Sequence, residues 1–107
     1  MVQTTKTISR DLLMNELLKK FPKMFLRTTE EFNGSHGGIW TSGENGLEFP
    51  NGDLVFNYWY EGFNGHWKAE KYIIGVHNKL YKYLQDRGWY ASWYDPGTIM
   101  IWPIQVD

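Results

Sequence analysis

The 107-residue chain contains no cysteine. Disulfide frameworks, thiolate metal sites and cysteine nucleophiles are therefore excluded together. The class of small secreted scaffolds that depend on disulfides is disfavoured for the same reason. A chain of this length buries roughly two-thirds of the surface that its unfolded form exposes, so we expect one domain with a packed core.

Long apolar runs are missing as well. No stretch approaches the roughly 18 apolar residues of a membrane-spanning helix. The first ten residues, MVQTTKTISR, lack the apolar centre of a signal peptide. The sequence therefore predicts a cytoplasmic protein that has no membrane partner.

Basic residues are absent from two long parts of the chain. The net charge is only −1, from 11 basic and 12 acidic residues, which argues against nucleic acid or anionic lipid as a partner. Between Thr28 and Trp67 there are six acidic residues and no Lys or Arg, and residues 89–107 also contain no Lys or Arg. This pattern fits either an ordinary solvated surface or an acidic face that docks on a basic partner.

Two helices are predicted. The first spans residues 9–20, because Ser9 is a good N-cap and Pro22 cannot continue a helix. The second spans about 68–87 and ends before Gly88, a suitable residue for leaving a helix. The apolar residues at helical spacing in the two segments are Leu13, Leu17 and Phe21, and Ile73, Val76, Leu80 and Leu84.

The remaining segments predict short strands. Asn51-Gly52 lies between the apolar runs of residues 47–56 and indicates a β-hairpin. Asp95-Pro96-Gly97 predicts the turn of a second hairpin, formed by residues 89–94 and 98–104. Shorter strands are expected at 24–29 and 39–41. The prediction is a flexible segment 1–8 followed by one α+β domain, 9–107, with four to six strands, antiparallel or mixed, in the order α-β-β-β-α-β-β.

Aromatic residues make up 18% of the chain and cluster at 57–63 and 89–94. The strands there are apolar on both faces, which is unusual for a sheet with one solvated face. Either the helices cover both faces, or a partner covers one of them, and the simplest partner is a second copy of the chain. The candidate protein-binding residues are Val55, Trp59, Glu61, Tyr90, Trp93 and Tyr94.

Two alternatives use other chemistry. A small enzyme could use His36, in a glycine-rich loop, together with Glu30 or Glu31. A ligand-binding module could instead stack its ligand on Trp59 or Trp93. The chain has no Walker A loop, dinucleotide fingerprint or nucleophile elbow, and the spacing of its three histidines supports no metal site. No cofactor or metal is therefore predicted.

Two segments resemble stretches in small accessory proteins of tailed bacteriophages. They are GGIWTSGE, residues 37–44, and GWYASWYDPGT, residues 88–98. The resemblance extends over most of 24–104, and it assigns neither a fold nor residue roles. It implies a viral context, in which small accessory proteins often bind and inhibit a host protein in the host cytoplasm.

The leading hypothesis from the sequence is a non-enzymatic protein-binding domain, such as a phage-encoded inhibitor or modulator of a host protein. Its expected partner is that host protein or a second copy of the chain.

Overall fold

One four-stranded antiparallel sheet, a two-stranded sheet and three helices make up the part of the chain that the structure describes. The computed structural model describes residues 7–43, 46–57, 72–73 and 75–104. In chain order the elements are α1 (Arg10–Lys20), β1 (Arg27–Thr28), α2 (Thr29–Asn33), β2 (Ile39–Ser42), β3 (Tyr72–Ile73), β4 (Val76–His77), α3 (Asn78–Gln85), β5 (Trp89–Asp95) and β6 (Thr98–Pro103). The predicted α+β class and the antiparallel sheet are confirmed.

The larger sheet has the strand order β1-β2-β6-β5. Its last two strands form the hairpin that the sequence predicts, and the Asp95 carboxylate accepts a hydrogen bond from the Gly97 N–H in the turn (3.0 Å). The strand predicted at 24–29 is limited to β1, because α2 begins at Thr29.

The strand register defines two faces of this sheet, since directly opposed residues share a face. Ile39 and Ala91 both oppose Ile101, and these residues point to one face, which we call the core face. The adjacent positions, Trp40 and Met100, point to the opposite face.

The core face packs against α1 and α3. Leu13 and Leu17 of α1 and Leu80 and Leu84 of α3 are fully buried in the same cluster as Ile101. The other members of this cluster are Phe21, Met24, Ile39, Phe49, Val55, Phe56, Val76, Trp89 and Ile99. Both longer helices therefore stabilise the sheet from one side.

Helix α1 is confirmed close to the predicted bounds. The Ser9 hydroxyl accepts a hydrogen bond from the Leu12 N–H (3.2 Å), which caps the first turn. Of the segment predicted to be flexible, residues 1–6 lie outside the described residues. Ile8 donates its backbone N–H to the carbonyl of Arg87 (3.1 Å) and packs against the core.

The helix predicted at 68–87 is wrong in its first half. Residues 72–73 and 76–77 form the antiparallel pair β3–β4 around Gly75, which has a φ of +74°. A helix interior does not tolerate that left-handed conformation, whereas a turn between strands uses it readily. Helix α3 begins only at Asn78, after its N-cap His77. Residues 68–71 lie outside the described residues.

The hairpin predicted at 47–56 is confirmed as a tight turn. Glu48 pairs with Leu54, and the Val55 N–H donates to the Leu47 carbonyl (2.9 Å). Phe56 then pairs with Val76 of β4, which joins the hairpin to the two-stranded sheet. This arrangement buries Val55 completely.

Helix α2 has no counterpart in the sequence prediction. The Glu31 carboxylate accepts from both the N–H and the hydroxyl of Thr28 (3.4 and 3.3 Å), as in a capping box, and Gly34 ends the helix after five residues. The structure therefore adds a third helix, which lies over the face opposite the core.

Candidate functional site

Six aromatic side chains lie on the side of the large sheet opposite the core, and we call this surface the aromatic face. They come from the segment before β1, from α2 and from three strands of the sheet. The members are Phe25, Phe32, Trp40, Tyr90, Tyr94 and Trp102. The strand register places these residues on one face of the sheet, because Tyr90 pairs directly with Trp102, and Trp40 pairs directly with Met100.

Four of the rings form a continuous row of contacts. The Phe32 ring centroid lies 4.8 Å from Trp40 and 5.0 Å from Tyr94, and the Phe25 centroid lies 5.0 Å from Trp40. Two of these contacts are edge-to-face, an arrangement that aromatic pairs favour. These contacts hold the row in place.

The aromatic face is only partly covered. Helix α2 covers the middle of it through Phe32, and Met100 is buried. Tyr90 and Tyr94 keep 42% and 57% of their surface exposed. The other four rings are half-buried. Two large exposed rings beside four half-exposed ones make a contiguous surface of the kind that marks interaction sites.

Acidic groups lie beside these rings. Glu30 and Glu31 lie on α2, and Asp95 ends β5. Strands β2, β5 and β6 carry no Lys or Arg. Arg27 of β1 faces Glu31 at 3.6 Å, so its charge is already matched. The aromatic face thus combines open rings with carboxylates.

A groove of about 470 Å³ opens at one end of the aromatic face. It is lined by His36, Tyr90, Trp102 and Pro103. The Trp102 indole lies directly over Gly38, where a Cβ atom would be 2.6 Å from two of the ring carbons. The absence of a side chain at Gly38 therefore sets the position of this wall of the groove.

Glu30 organises the loop beside the groove. Its carboxylate accepts from the Gly37 N–H (3.0 Å) and from the Arg10 guanidinium (2.7 Å). These two hydrogen bonds, with the Gly37 bond the larger effect, lower the pKa of Glu30 to about 2. The carboxylate is therefore ionised throughout the physiological range, and it ties the loop to α1.

The structure brings His36 near Glu30 but not near Glu31. The His36 Nδ1 lies 3.6 Å from a Glu30 oxygen, whereas Glu31 faces Thr28 and Arg27. The imidazole is 92% exposed. Among the described residues, no nucleophilic side chain is hydrogen-bonded to it, so the pair lacks the nucleophile–base contact of a catalytic site.

The other predicted site residues are divided between the two faces. Tyr90 and Tyr94 lie on the aromatic face. Trp93 lies on the core face, half-buried, with its ring 6.3 Å from Phe56. Val55 is 0% exposed and belongs to the core, so it does not share a surface with Tyr90 and Tyr94. The structural description does not include Trp59 or Glu61.

Four members of the aromatic face were missing from the predicted site. Trp102 could have been found from the alternation of side chains along β6. That alternation places Trp102 on the same face as Met100 and on the other face from Ile101. Trp40 can be placed on this face only when the pairing of β2 with β6 is known. Phe25 and Phe32 lie outside the strands, so strand alternation does not predict their face. Contacts between distant segments brought these rings together.

The described part of the chain contains neither a membrane-spanning helix nor a cluster of metal ligands. No helix there is long and apolar enough to cross a membrane. Within the same residues, no group of three or more potential ligands could hold a metal ion.

Comparisons with protein-family models, curated proteins and solved structures find no match to this chain.

Proposed function

We propose that the protein is a non-enzymatic binding domain that docks on a basic surface of another protein through its aromatic face. The resemblance to tailed-phage accessory proteins suggests that this other protein is a host protein, which the domain inhibits or modulates. The observation that carries the proposal is the pair Tyr90 and Tyr94, which are 42% and 57% exposed on the aromatic face, with Tyr94 packed against the row of fixed rings.

Exposed tyrosines on a sheet face suit protein recognition. Tyr and Trp are over-represented among the residues that dominate binding energy, since they bury much area for little loss of conformational freedom. The Phe32 ring contacts Tyr94 edge-to-face, and Phe32 also contacts Trp40. Less conformational entropy is therefore lost on binding than for rings on a mobile loop.

The charges favour a basic partner. Glu30 and Glu31 pair with Arg10 and Arg27, whereas Asp95 is exposed at the end of β5 and forms no ion pair with another described residue. No cation lies over Tyr90 or Tyr94 among the described residues, although the Arg27 guanidinium lies 5.9 Å from the Phe25 ring centroid. An incoming Lys or Arg would gain a cation–π contact worth about 0.5–2 kcal/mol, depending on its desolvation. Attraction to the carboxylates would increase the association rate at low salt.

The test is capture from a bacterial lysate with matched variants. The double variant Tyr90→Ala/Tyr94→Ala alters the aromatic face. The control, Leu12→Ala/Leu18→Ala, removes the two other large exposed apolar side chains of the described residues, which lie on α1. The wild type and the control should retain the same partner. The aromatic-face variant should bind it at least about tenfold more weakly, and added salt should weaken the wild-type complex.

Two results would overturn the proposal. One is retention of the partner by a folded aromatic-face variant. The other is a wild-type dimer in light scattering that the same variant converts to monomer, because the aromatic face would then serve self-association.

A further inference from the structure

The groove lined by His36, Tyr90, Trp102 and Pro103 presents hydrogen-bond donors without acceptors. Neither the Tyr90 hydroxyl nor the Trp102 indole N–H is hydrogen-bonded to another described residue. The imidazole of His36 is also almost fully exposed at the rim. An occupant that brings several acceptors, such as backbone carbonyls, would satisfy these donors.

The backbone beneath the groove is already paired. The Ile104 N–H donates to the Gly88 carbonyl (2.8 Å), and this bond determines which opposed pairs of β5 and β6 are hydrogen-bonded. In this pattern, Tyr90 and Trp102 direct their backbone N–H and C=O groups at each other. A peptide in the groove therefore cannot pair with the backbone of Tyr90 or Trp102, and the side chains of the groove have to recognise it.

The walls fit a compact apolar ring. Tyr90 and Trp102 are directly opposed on neighbouring strands, where Cα atoms of a hydrogen-bonded pair lie about 5.5 Å apart. Gly38 supports the Trp102 indole from behind. A proline ring is compact and loses almost no side-chain entropy when it packs on two such neighbouring rings.

A basic residue beside the prolines would complete the match. Glu30 lies behind His36, with 3.6 Å between its carboxylate and the imidazole, and it carries a full negative charge at neutral pH. The two Glu30 oxygens already accept from Arg10 and Gly37, but the side chain is one-third exposed, so its remaining surface can attract an arginine at the rim.

We infer that the groove binds a polyproline II segment of a partner protein, with prolines packed on the neighbouring rings of Tyr90 and Trp102 and an arginine towards Glu30. A polyproline II helix has no internal hydrogen bonds, so its carbonyls are free to accept from the side chains of the groove. Aromatic-lined grooves of this kind recognise proline-rich segments in several domain classes. The inference rests on the proposed function, because it specifies the peptide that the aromatic face would bind.

The experiment titrates the isotope-labelled full chain with two synthetic dodecapeptides. One contains two Pro-x-x-Pro repeats and one arginine, and the other has every proline replaced by alanine. The readout is the shift of the Trp102 indole N–H resonance, assigned with Trp102→Phe. The proline peptide should move this resonance and bind at least about tenfold more tightly than the alanine peptide.

Single variants locate the peptide. Tyr90→Ala should weaken binding about tenfold, and Tyr90→Phe, which loses only the hydroxyl, should weaken it about threefold. Leu12→Ala, an exposed position on α1 and outside the aromatic face, should change it less than twofold. Dispersed spectra of each variant establish that it is folded.

Three outcomes would overturn the inference and leave the proposed function standing. Equal binding of both peptides would show that the arginine, and not proline geometry, is recognised. A lack of binding by the proline peptide, together with partner capture that depends on Tyr90 and Tyr94, would show that the partner uses another conformation. Unchanged binding of the proline peptide to Tyr90→Ala would place the peptide outside the groove. Loss of the proposed function would instead appear as partner capture that does not depend on the aromatic face.

Discussion

The position of Trp102 depends on the missing side chain of Gly38, and Gly38→Ala tests this dependence. A Cβ at Gly38 would lie 2.6 Å from the Cε3 and Cζ3 atoms of Trp102 and 2.9 Å from the Thr29 methyl group. Favourable carbon–carbon contacts lie at about 3.5–4.0 Å. The Trp102 ring must therefore move by roughly an ångström.

The backbone at Gly38 cannot relieve this overlap cheaply. Its N–H donates to the Thr29 hydroxyl (3.0 Å), and its carbonyl accepts from the Thr29 N–H (3.1 Å). Overpacking a filled site of this kind costs about 1–3 kcal/mol. For a domain of this size, each kcal/mol lowers the melting temperature by about 4–5 °C, so a fall of about 4–15 °C is expected.

Thermal melts followed by circular dichroism measure the loss, and the Trp102 indole resonance reports the movement of the ring. Gly37→Ala is the matched control, because a Cβ there meets nothing within 4 Å although φ is +91°. The control should lose about 1 kcal/mol through backbone strain and leave the Trp102 resonance unchanged. If Gly38→Ala melts within about 1 °C of the wild type and keeps its indole resonance, the described packing of Trp102 is wrong.

Three further predictions concern stability. Leu80 is fully buried, so Leu80→Asp should lower the free energy of unfolding by more than about 4 kcal/mol and unfold the domain. A variant that melts cooperatively at the wild-type temperature would contradict the burial of Leu80. The His77 Nδ1 accepts from the Lys79 N–H (3.1 Å), and its Nε2 lies 3.0 Å from Asp53. His77→Ala should therefore lower the free energy of unfolding in urea by about 2–4 kcal/mol. Substitution at an exposed control position should lower it by less than about 0.5 kcal/mol. The folded-state pKa of Glu30 is about 2, below its ordinary 4.5, so its stabilising effect is complete above pH 4.5 and disappears towards pH 2. Glu30→Gln should therefore be less stable than the wild type at pH 7 and approach it near pH 2, and a constant difference in melting temperature would refute this linkage.

Elements with strong local chemistry were predicted correctly. The hairpin β5–β6 follows from Asp95-Pro96-Gly97, whose turn preference does not depend on the rest of the chain. Helix α1 follows from the cap at Ser9 and the break at Pro22, and both act within one turn of the helix.

The errors arose where a pattern fits two structures. Residues 73–84 have apolar spacing that suits a helix, but Gly75 takes a left-handed conformation and Val76 is β-branched, which favours a strand before α3. Helix α2 is too short for periodicity to reveal it. Its only local signal is the capping-box pattern from Thr28 to Glu31.

The candidate site was half predictable. Alternation along β5 correctly places Tyr90 and Tyr94 opposite the core face, because that rule is local. Whether Val55 shares their face depends on how distant strands pair, and the sequence contains no local signal for that register. Phe32 reaches the aromatic face only because α2 folds over the sheet.

Site-specific photocrosslinking tests most directly whether the aromatic face contacts a partner protein. A benzophenone amino acid at position 94 replaces a ring that is 57% exposed on this face, and the same group at position 12 replaces an exposed leucine of α1. The proposed function predicts one abundant adduct from position 94, mapped to a basic segment of the partner, and none from position 12. Adducts only from position 12, or a partner bound without any adduct from position 94, would contradict it.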